Sequence, residues 1–186
     1  MRRSIIATAM FGIALFSLSS ESRAQVSTVA KPVQFGIAAG AALPMSNLSD
    51  GASTGFNVTG TVGITPELIP LGVRIDGAYN RFSLKNGVSG DVHFTSVTGN
   101  LVYKIPSEAV SPYLIGGAGW YNAGGTATVS GFGTASGSSN HFGWNAGGGI
   151  SMALSGFDTF LEARYNQVQG NGGSLKFIPI TFGVMF

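Results

Sequence analysis

The sequence is poor in features that support most soluble domains of its length. It contains no cysteine, so no disulfide framework holds it together, and only 10% of its residues are charged. After the first 24 residues, no segment approaches the roughly 20 consecutive apolar residues that a membrane-spanning helix needs. The chain is instead rich in glycine and phenylalanine, with 29 and 13 residues. Its apolar residues are spread over short segments, which is typical of strands.

The N-terminus has the three parts of a secretion signal. Two arginines form a basic start, and an apolar stretch of 14 residues follows at 5–18. This stretch is too short for a membrane anchor. The tripeptide at 22–24 then offers small residues at the two positions that signal peptidase reads. Residues 1–24 are therefore predicted to be a cleaved signal peptide, and residues 25–186 a single mature domain.

Loss of that signal would change the charge of the chain. The signal contains three of the ten basic residues and one of the eight acidic residues, so seven of each remain. The net charge of +2 for the whole chain thus becomes zero in the mature domain. This balance gives no support for a nucleic-acid partner.

Alternation of apolar residues with small or polar ones dominates the mature domain. It predicts eight strands, at 33–43, 56–64, 71–80, 96–105, 113–121, 142–154, 161–166 and 178–186. A tilted strand of about 9–11 residues crosses a bilayer. Longer polar connections, at 44–54, 83–91, 123–140 and 168–176, alternate with short ones at 66–70, 106–111 and 155–157. This order is typical of an all-β, eight-stranded antiparallel up-and-down transmembrane barrel with short periplasmic turns.

The two faces of the strands can be assigned by size. Backbone groups inside lipid need partners from the protein, so only a closed sheet spans the membrane. The lumen of an eight-stranded barrel is just wide enough to be filled by side chains. The small and polar face is therefore predicted to point inward and the bulky face into lipid. Aromatic girdles are predicted at the periplasmic end from Phe35, Tyr103, Tyr113 and Phe186, and at the outer end from Phe56, Tyr79, Phe94, Tyr121, Phe142, Trp144 and Tyr165.

Four segments resemble strands of a known family. FIPITFGVMF, SPYLIGGAGWY, HFGWNAGGGI and FLEARYNQV are similar to strands of the small OmpA/OmpX-like barrels of the bacterial outer membrane. In that family, alternating apolar residues and a terminal aromatic are read by the barrel-assembly machinery. The resemblance implies location in the cell outer membrane, with outer-membrane lipids, lipopolysaccharide and that machinery as partners. It implies an assembly signal made of Ile180, Phe182, Val184 and Phe186.

Four charged residues are predicted to lie in the lumen. Arg74 and Asp76 are on the third strand, and Glu162 and Arg164 are on the seventh, which lies opposite in an eight-strand ring. Matched heights predict that Arg74 meets Glu162 and that Asp76 meets Arg164, since a buried charge is tolerable when it is paired. The cluster is interpreted as a plug that fills and stiffens the lumen. The OmpA resemblance implies an alternative, a gate whose pairs exchange to let small ions pass.

Both histidines, His93 and His141, are predicted near the outer rim. His93 shares a face with Thr95 and is close in sequence to Asp91 and Ser96. A rim histidine beside a hydroxyl faintly resembles barrels that edit lipid A, because a neutral imidazole can act as a general base. No nucleophile motif accompanies it. No catalytic residue, metal ligand set or cofactor is therefore predicted.

The predicted function is a structural or surface-interaction role in the outer membrane, without enzymatic activity. The glycine-rich stretch at 124–138 lacks the ending of a phosphate-binding loop and is interpreted as a flexible surface loop. An extracellular ligand is expected at loops 44–54 and 123–140, since binding residues tend to lie on loops held by a rigid scaffold. The alternatives are a narrow ion-conducting pore, a lipid A-modifying enzyme and a soluble ligand-binding barrel.

Overall fold

The computed structural model describes residues 33–66, 69–85, 89–107, 109–129, 133–170 and 173–186. The predicted signal peptide, residues 1–24, lies outside the described residues. Within them, no helix has the length and apolarity needed to cross a membrane.

The described chain forms one antiparallel sheet that closes on itself, with its strands in sequence order around the ring. The strands are β1 (Gln34–Met45), β2 (Gly55–Ile64), β3 (Leu71–Ser83), β4 (Ser89–Lys104), β5 (Ser111–Val129), β6 (Gly133–Ala153), β7 (Asp158–Gly170) and β8 (Gly173–Met185). A short helix, α1 (Asn47–Gly51), follows β1. β8 pairs with β1, and Phe35 and Phe186 exchange backbone hydrogen bonds of 3.1 and 2.7 Å. The predicted eight-stranded up-and-down barrel is confirmed.

Most bulky apolar side chains face outward, as predicted. Ile37, Phe182 and Trp144 are 65%, 60% and 38% exposed. The lumen is lined by buried polar side chains, which include Asn57, Thr61, Asn80, Ser96, Thr98, Asn100, Asn145, Asn166 and Thr181. A soluble barrel would have the reverse arrangement, so an apolar exterior around a polar interior fits a wall that contacts lipid.

Three aromatic residues predicted for the lipid-facing girdles are instead buried inside the barrel. Phe94, Tyr113 and Tyr121 are 0%, 5% and 1% exposed. This part of the prediction was wrong, because the lumen is wide enough to hold large rings. For the two tyrosines, inward-facing glycines on β6 supply the space. A Cβ on Gly149 would lie 2.6 Å from Cζ of Tyr113, and one on Gly143 would lie 2.8 Å from Cδ2 of Tyr121.

Apolar layers fill both ends of the lumen. At the end with the short turns, which we call the short-turn end, the layer contains Ala38, Tyr113, Ile115 and Phe160. At the opposite, long-hairpin end it contains Ala42, Leu48, Ala52, Phe82, Phe94, Tyr121, Val168 and Phe177. Leu48 belongs to α1, so the first long connection folds back over the barrel mouth and helps to close it.

The connections at the long-hairpin end are shorter than predicted. Residues 123–140 were predicted as a connection, with a flexible loop at 124–138, yet β5 and β6 stay paired as far as Val129 opposite Gly133. Residues 168–176 were also predicted as a loop, and β7 and β8 stay paired up to the Gly170–Gly173 pair. Beyond the bilayer, no contrast between lipid and lumen selects an alternating pattern. These strand extensions therefore have no clear alternation of apolar and polar residues by which the sequence could predict them.

Candidate functional site

The four predicted lumen charges, Arg74, Asp76, Glu162 and Arg164, form one buried group that we call the charge cluster. Both expected pairings are present. Arg74 Nη2 lies 2.8 Å from Glu162 Oε2, and Arg164 Nη1 lies 2.7 Å from Asp76 Oδ2. Each arginine also contacts the acid on its own strand: Arg74 Nε is 3.0 Å from Asp76 Oδ1, and Arg164 Nη2 donates to Glu162 Oε1. Each carboxylate therefore contacts both arginines, and the ring of four has no net charge.

Strand geometry explains why the cluster forms. Residues two apart on a strand point to the same side, so each strand contributes one arginine and one acid to the lumen. β3 and β7 are four strands apart in a ring of eight and face each other across it. The order of the charges is reversed between the two strands, because Arg74 precedes Asp76 whereas Glu162 precedes Arg164. Opposite charges therefore meet across the lumen.

Neutral side chains add hydrogen bonds to the cluster. Tyr113 donates its hydroxyl proton to Glu162 Oε2 at 2.8 Å, and Asn100 Nδ2 donates to Asp76 Oδ2 at 2.9 Å. Asn145 Nδ2 in turn donates to Asn100 Oδ1 at 2.9 Å. None of these three residues belonged to the predicted site. Alternation places Asn100 and Asn145 on the lumen face, whereas Tyr113 was predicted to face lipid, because β5 carries large residues on both faces.

The cluster separates two small cavities within the barrel. A cavity of about 60 Å³ at the short-turn end is bordered by Arg74, Tyr113 and other residues. One of about 20 Å³ on the long-hairpin side is bordered by Asp76, Arg164 and others. The smaller space suits about one or two water molecules. Because both carboxylates of the cluster are held by arginines, neither is free to act as a general base.

The histidines lie near the long-hairpin end, as predicted, but in separate surroundings. His93 Nδ1 is 3.2 Å from Asp91 Oδ2, and His141 Nε2 is 2.7 Å from Ser139 Oγ. Catalytic hydroxyl groups are usually activated by a histidine that an acid orients. Among the described residues, His93 has a bonded acid without a bonded hydroxyl, and His141 has the reverse. No set of three or more potential metal ligands occurs in the described part of the chain.

The predicted assembly-signal residues lie on the outer face of β8 and just after it. Ile180, Phe182 and Phe186 are exposed, and Val184 is half-buried. They follow the alternation of the strand and form one apolar row on the barrel wall.

A three-stranded sheet extends beyond the barrel at the long-hairpin end. β4 pairs with β5 as far as Ser89 opposite Thr128, and β6 pairs with β5 along its first ten residues. Pairing of β6 with β7 begins only at Gly143 opposite Val168. Residues 133–142 of β6 therefore have a paired strand on one side only among the described residues. We call this stretch the open edge.

The closed sheet, the apolar outer wall and the polar, charge-paired lumen define an integral membrane barrel of the outer-membrane type. The sequence pattern of the outer membrane protein beta-barrel domain matches residues 10–186. The chain belongs to this family and is an outer-membrane protein. The long-hairpin end is therefore the extracellular end, and the short-turn end faces the periplasm.

Solved structures of other small barrels have the same fold. Neisserial surface protein A has a TM-score of 0.63 and 21% identity, covering 83% of this chain and 96% of its own. A major outer membrane protein of Thermus thermophilus has a TM-score of 0.56 and 13% identity, with coverages of 83% and 98%. Ail, the attachment invasion locus protein of Yersinia pestis, has a TM-score of 0.52 and 22% identity, with coverages of 82% and 98%. No curated protein matches the sequence significantly.

Proposed function

We propose that this protein is a structural barrel that carries a β-sheet above the outer membrane for interactions at the cell surface. The observation that carries this proposal is the open edge. A strand paired on one side has free backbone N–H and C=O groups, which can accept an extended segment of another protein. Exposed edges are commonly protected by lysine, proline or acidic residues. Residues 133–142 contain none of these.

The lumen supports a structural role for the barrel rather than a channel. The charge cluster lies in the middle, and apolar layers lie at both ends. An ion would have to displace paired charges and then pass a layer that includes Phe82, Phe94 and Phe177, whose rings contact one another with centroids 5.0–6.0 Å apart. We therefore interpret the charge cluster as a plug that makes the scaffold rigid.

We also propose that the protein has no enzymatic activity. The contacts of both histidines support this proposal. A catalytic histidine usually contacts an acid on one side and a hydroxyl on the other, and neither histidine has both contacts among the described residues. Incubation of the purified protein with lipid A is expected to release no fatty acid, as followed by mass spectrometry. Release that is lost in His93→Gln would contradict the proposal and support lipid A modification.

The apolar row of Ile180, Phe182, Val184 and Phe186 is proposed as the signal for the barrel-assembly machinery. Its outward position on the last strand supports this role, because a partner can reach it before the barrel closes. Phe186→Ala is expected to lower the amount of folded protein in the outer membrane. Val58→Ala on β2 also removes an exposed apolar side chain and is expected to have little effect.

The surface role can be tested by blocking the open edge. Cells displaying the protein would be compared for adhesion under flow to a surface coated with serum proteins. We expect wild-type protein to raise adhesion, and Ser136→Lys with Ser138→Lys to abolish the increase, because edge lysines oppose strand addition. Thr128→Lys adds a charge to β5, which is paired on both sides, and is the control. Adhesion that is insensitive to the edge lysines, or equally sensitive to the control, would contradict the proposal.

Planar-bilayer recording distinguishes the plug from the pore. The wild-type protein is expected to give no single-channel steps. Glu162→Ala is expected to leave this behaviour unchanged while lowering the melting temperature, since it removes a partner from a buried ionic group. Regular steps in the wild type whose size changes in Glu162→Ala would support a gated pore instead.

A further inference from the structure

A second group of charged side chains lies on the outer wall of the barrel at the extracellular end. Asp91 on β4 contacts two neighbours with its two oxygens. Its Oδ1 is 3.1 Å from Arg81 Nη2, and its Oδ2 is 3.2 Å from His93 Nδ1. The imidazole of His93 stacks on the ring of Tyr79, with centroids 5.9 Å apart. We call Tyr79, Arg81, Asp91 and His93 the rim site.

The strand register gives the depth of the rim site in the membrane. One row of outward residues across β4, β5 and β6 is apolar, and the next row towards the outside is polar. The apolar row is Val97, Trp120 and Phe142, and the polar row is Thr95, Asn122 and Asn140. Arg81 and His93 are cross-strand partners one row further out. Successive rows are about 7 Å apart along a strand, so the rim site lies at the level of lipid headgroups.

The rim site is held in place by packing as well as by charge. A Cβ on Gly124 would lie 2.5 Å from His93 Nε2, so the imidazole occupies space that only a glycine at this position leaves free. Tyr79 also contacts Phe56, with ring centroids 6.0 Å apart. The site therefore combines a fixed polar part with an aromatic part that faces the lipid.

Arg81 retains donors for a ligand. Its side chain is 51% exposed, and Nη2 is the guanidinium nitrogen that bonds Asp91. A guanidinium has five N–H donors in a planar fork that matches the oxygens of a phosphate. Within the described chain, Asp91 is the hydrogen-bonding partner found for this guanidinium. The remaining donors are available at headgroup level.

We propose that the rim site binds the phosphate group of an outer-leaflet glycolipid. Arg81 donates hydrogen bonds to the phosphate oxygens, and Phe56 and Tyr79 contact the adjoining acyl chain. Asp91 orients Arg81 and also competes with the phosphate for its donors. The depth of the site favours a lipid over a soluble anion. A lipid can contact Arg81 with its phosphate and the aromatic rings with its acyl chain at the same time, whereas a soluble anion contacts Arg81 alone.

The proposal can be tested by native mass spectrometry of the purified barrel in micelles, titrated with diphosphorylated lipid A. Arg81→Gln is expected to weaken binding about tenfold, because the loss of one charge-assisted hydrogen bond changes an affinity by about this factor. Asp91→Asn is expected to strengthen binding, because it removes the competing carboxylate. Lys176→Gln makes the same charge change on β8, three strands from β3, and is expected to leave binding unchanged.

Three results would overturn the proposal. Equal binding of dephosphorylated lipid A would assign the affinity to the apolar wall, and an equal loss in Lys176→Gln would assign it to overall charge. Competition by inorganic phosphate as strong as that by lipid A would assign the site to a free anion. If Arg81→Gln does not fold, Arg81→Lys keeps the charge without the planar fork and is expected to bind with intermediate affinity. These variants leave the open edge unchanged, so the surface role is tested separately.

Discussion

At the scale of single residues, the charge cluster stabilises the protein only when all four of its charged side chains are present. Glu162 contacts both arginines and accepts a hydrogen bond from Tyr113. All members are buried, so each has lost most of its hydration. A buried charge is costly when it has no partner, and removal of one member leaves the others unbalanced.

Neutralising Glu162 is therefore expected to destabilise the barrel strongly. Glu162→Gln should lower the free energy of unfolding by about 3 kcal/mol, because Arg74 and Arg164 are left with one carboxylate between them. Urea titration followed by heat-modifiable gel mobility measures this loss. Asp158→Asn is the matched control, because Asp158 forms a partly exposed 3.8 Å ion pair with Lys104. Its loss should be below about 1 kcal/mol, and equal losses would contradict a central role for the cluster.

A second prediction at this scale concerns the glycines that lie against the aromatic rings in the lumen. Gly149→Ala places a Cβ 2.6 Å from the Tyr113 ring and 2.5 Å from Leu161 O, and is expected to cost about 1–3 kcal/mol through overpacking. Gly60→Ala is the control, since nothing lies within 4 Å of the Cβ it adds. The same urea titration compares the two. Similar stability of both variants would show that Tyr113 does not need this space.

At the scale of elements, the β5–β6 hairpin differs most from the sequence prediction. Inside the membrane, alternation identified both strands, because lipid and lumen select different side chains. Outside it, residues 122–140 contain mostly small and polar residues, and water surrounds both faces. Backbone pairing with a neighbouring strand then determines the structure. That pairing depends on the register of β4 and β5, which a single sequence does not reveal.

Hydrogen exchange distinguishes this paired hairpin from the flexible loop first predicted. We expect amides of residues 124–128 on β5 to be protected, because that strand is paired with β4 and β6. On the open edge, amides that point away from β5 should exchange fast, and those that point towards it slowly. Amide exchange followed by NMR in micelles resolves this alternation. Uniformly fast exchange over residues 124–128 and 133–140 would contradict the extended sheet.

At the scale of the whole molecule, the sequence predicted those parts of the architecture that depend on the alternation of side chains along each strand. Strand number, order, closure and the lumen position of Arg74 and Glu162 all depend on alternation and ring symmetry. The layered interior could not be predicted in this way. On β5, Leu114 and Trp120 occupy one face and Tyr113 and Tyr121 the other, so size alone does not identify the inner face. Glycines on β6 leave space for Tyr113 and Tyr121, and this space determines which face of β5 points inward.

A membrane-spanning barrel requires that its outer wall contacts hydrocarbon. The chain has two tryptophans, Trp120 and Trp144, and both side chains point outward from β5 and β6. Their fluorescence in vesicles can be quenched by brominated acyl chains or by acrylamide in the water, with Trp120→Phe and Trp144→Phe separating the two signals. We predict strong quenching by the brominated lipids and weak quenching by acrylamide for both residues. Strong acrylamide quenching without an effect of bromine would contradict the membrane-spanning barrel.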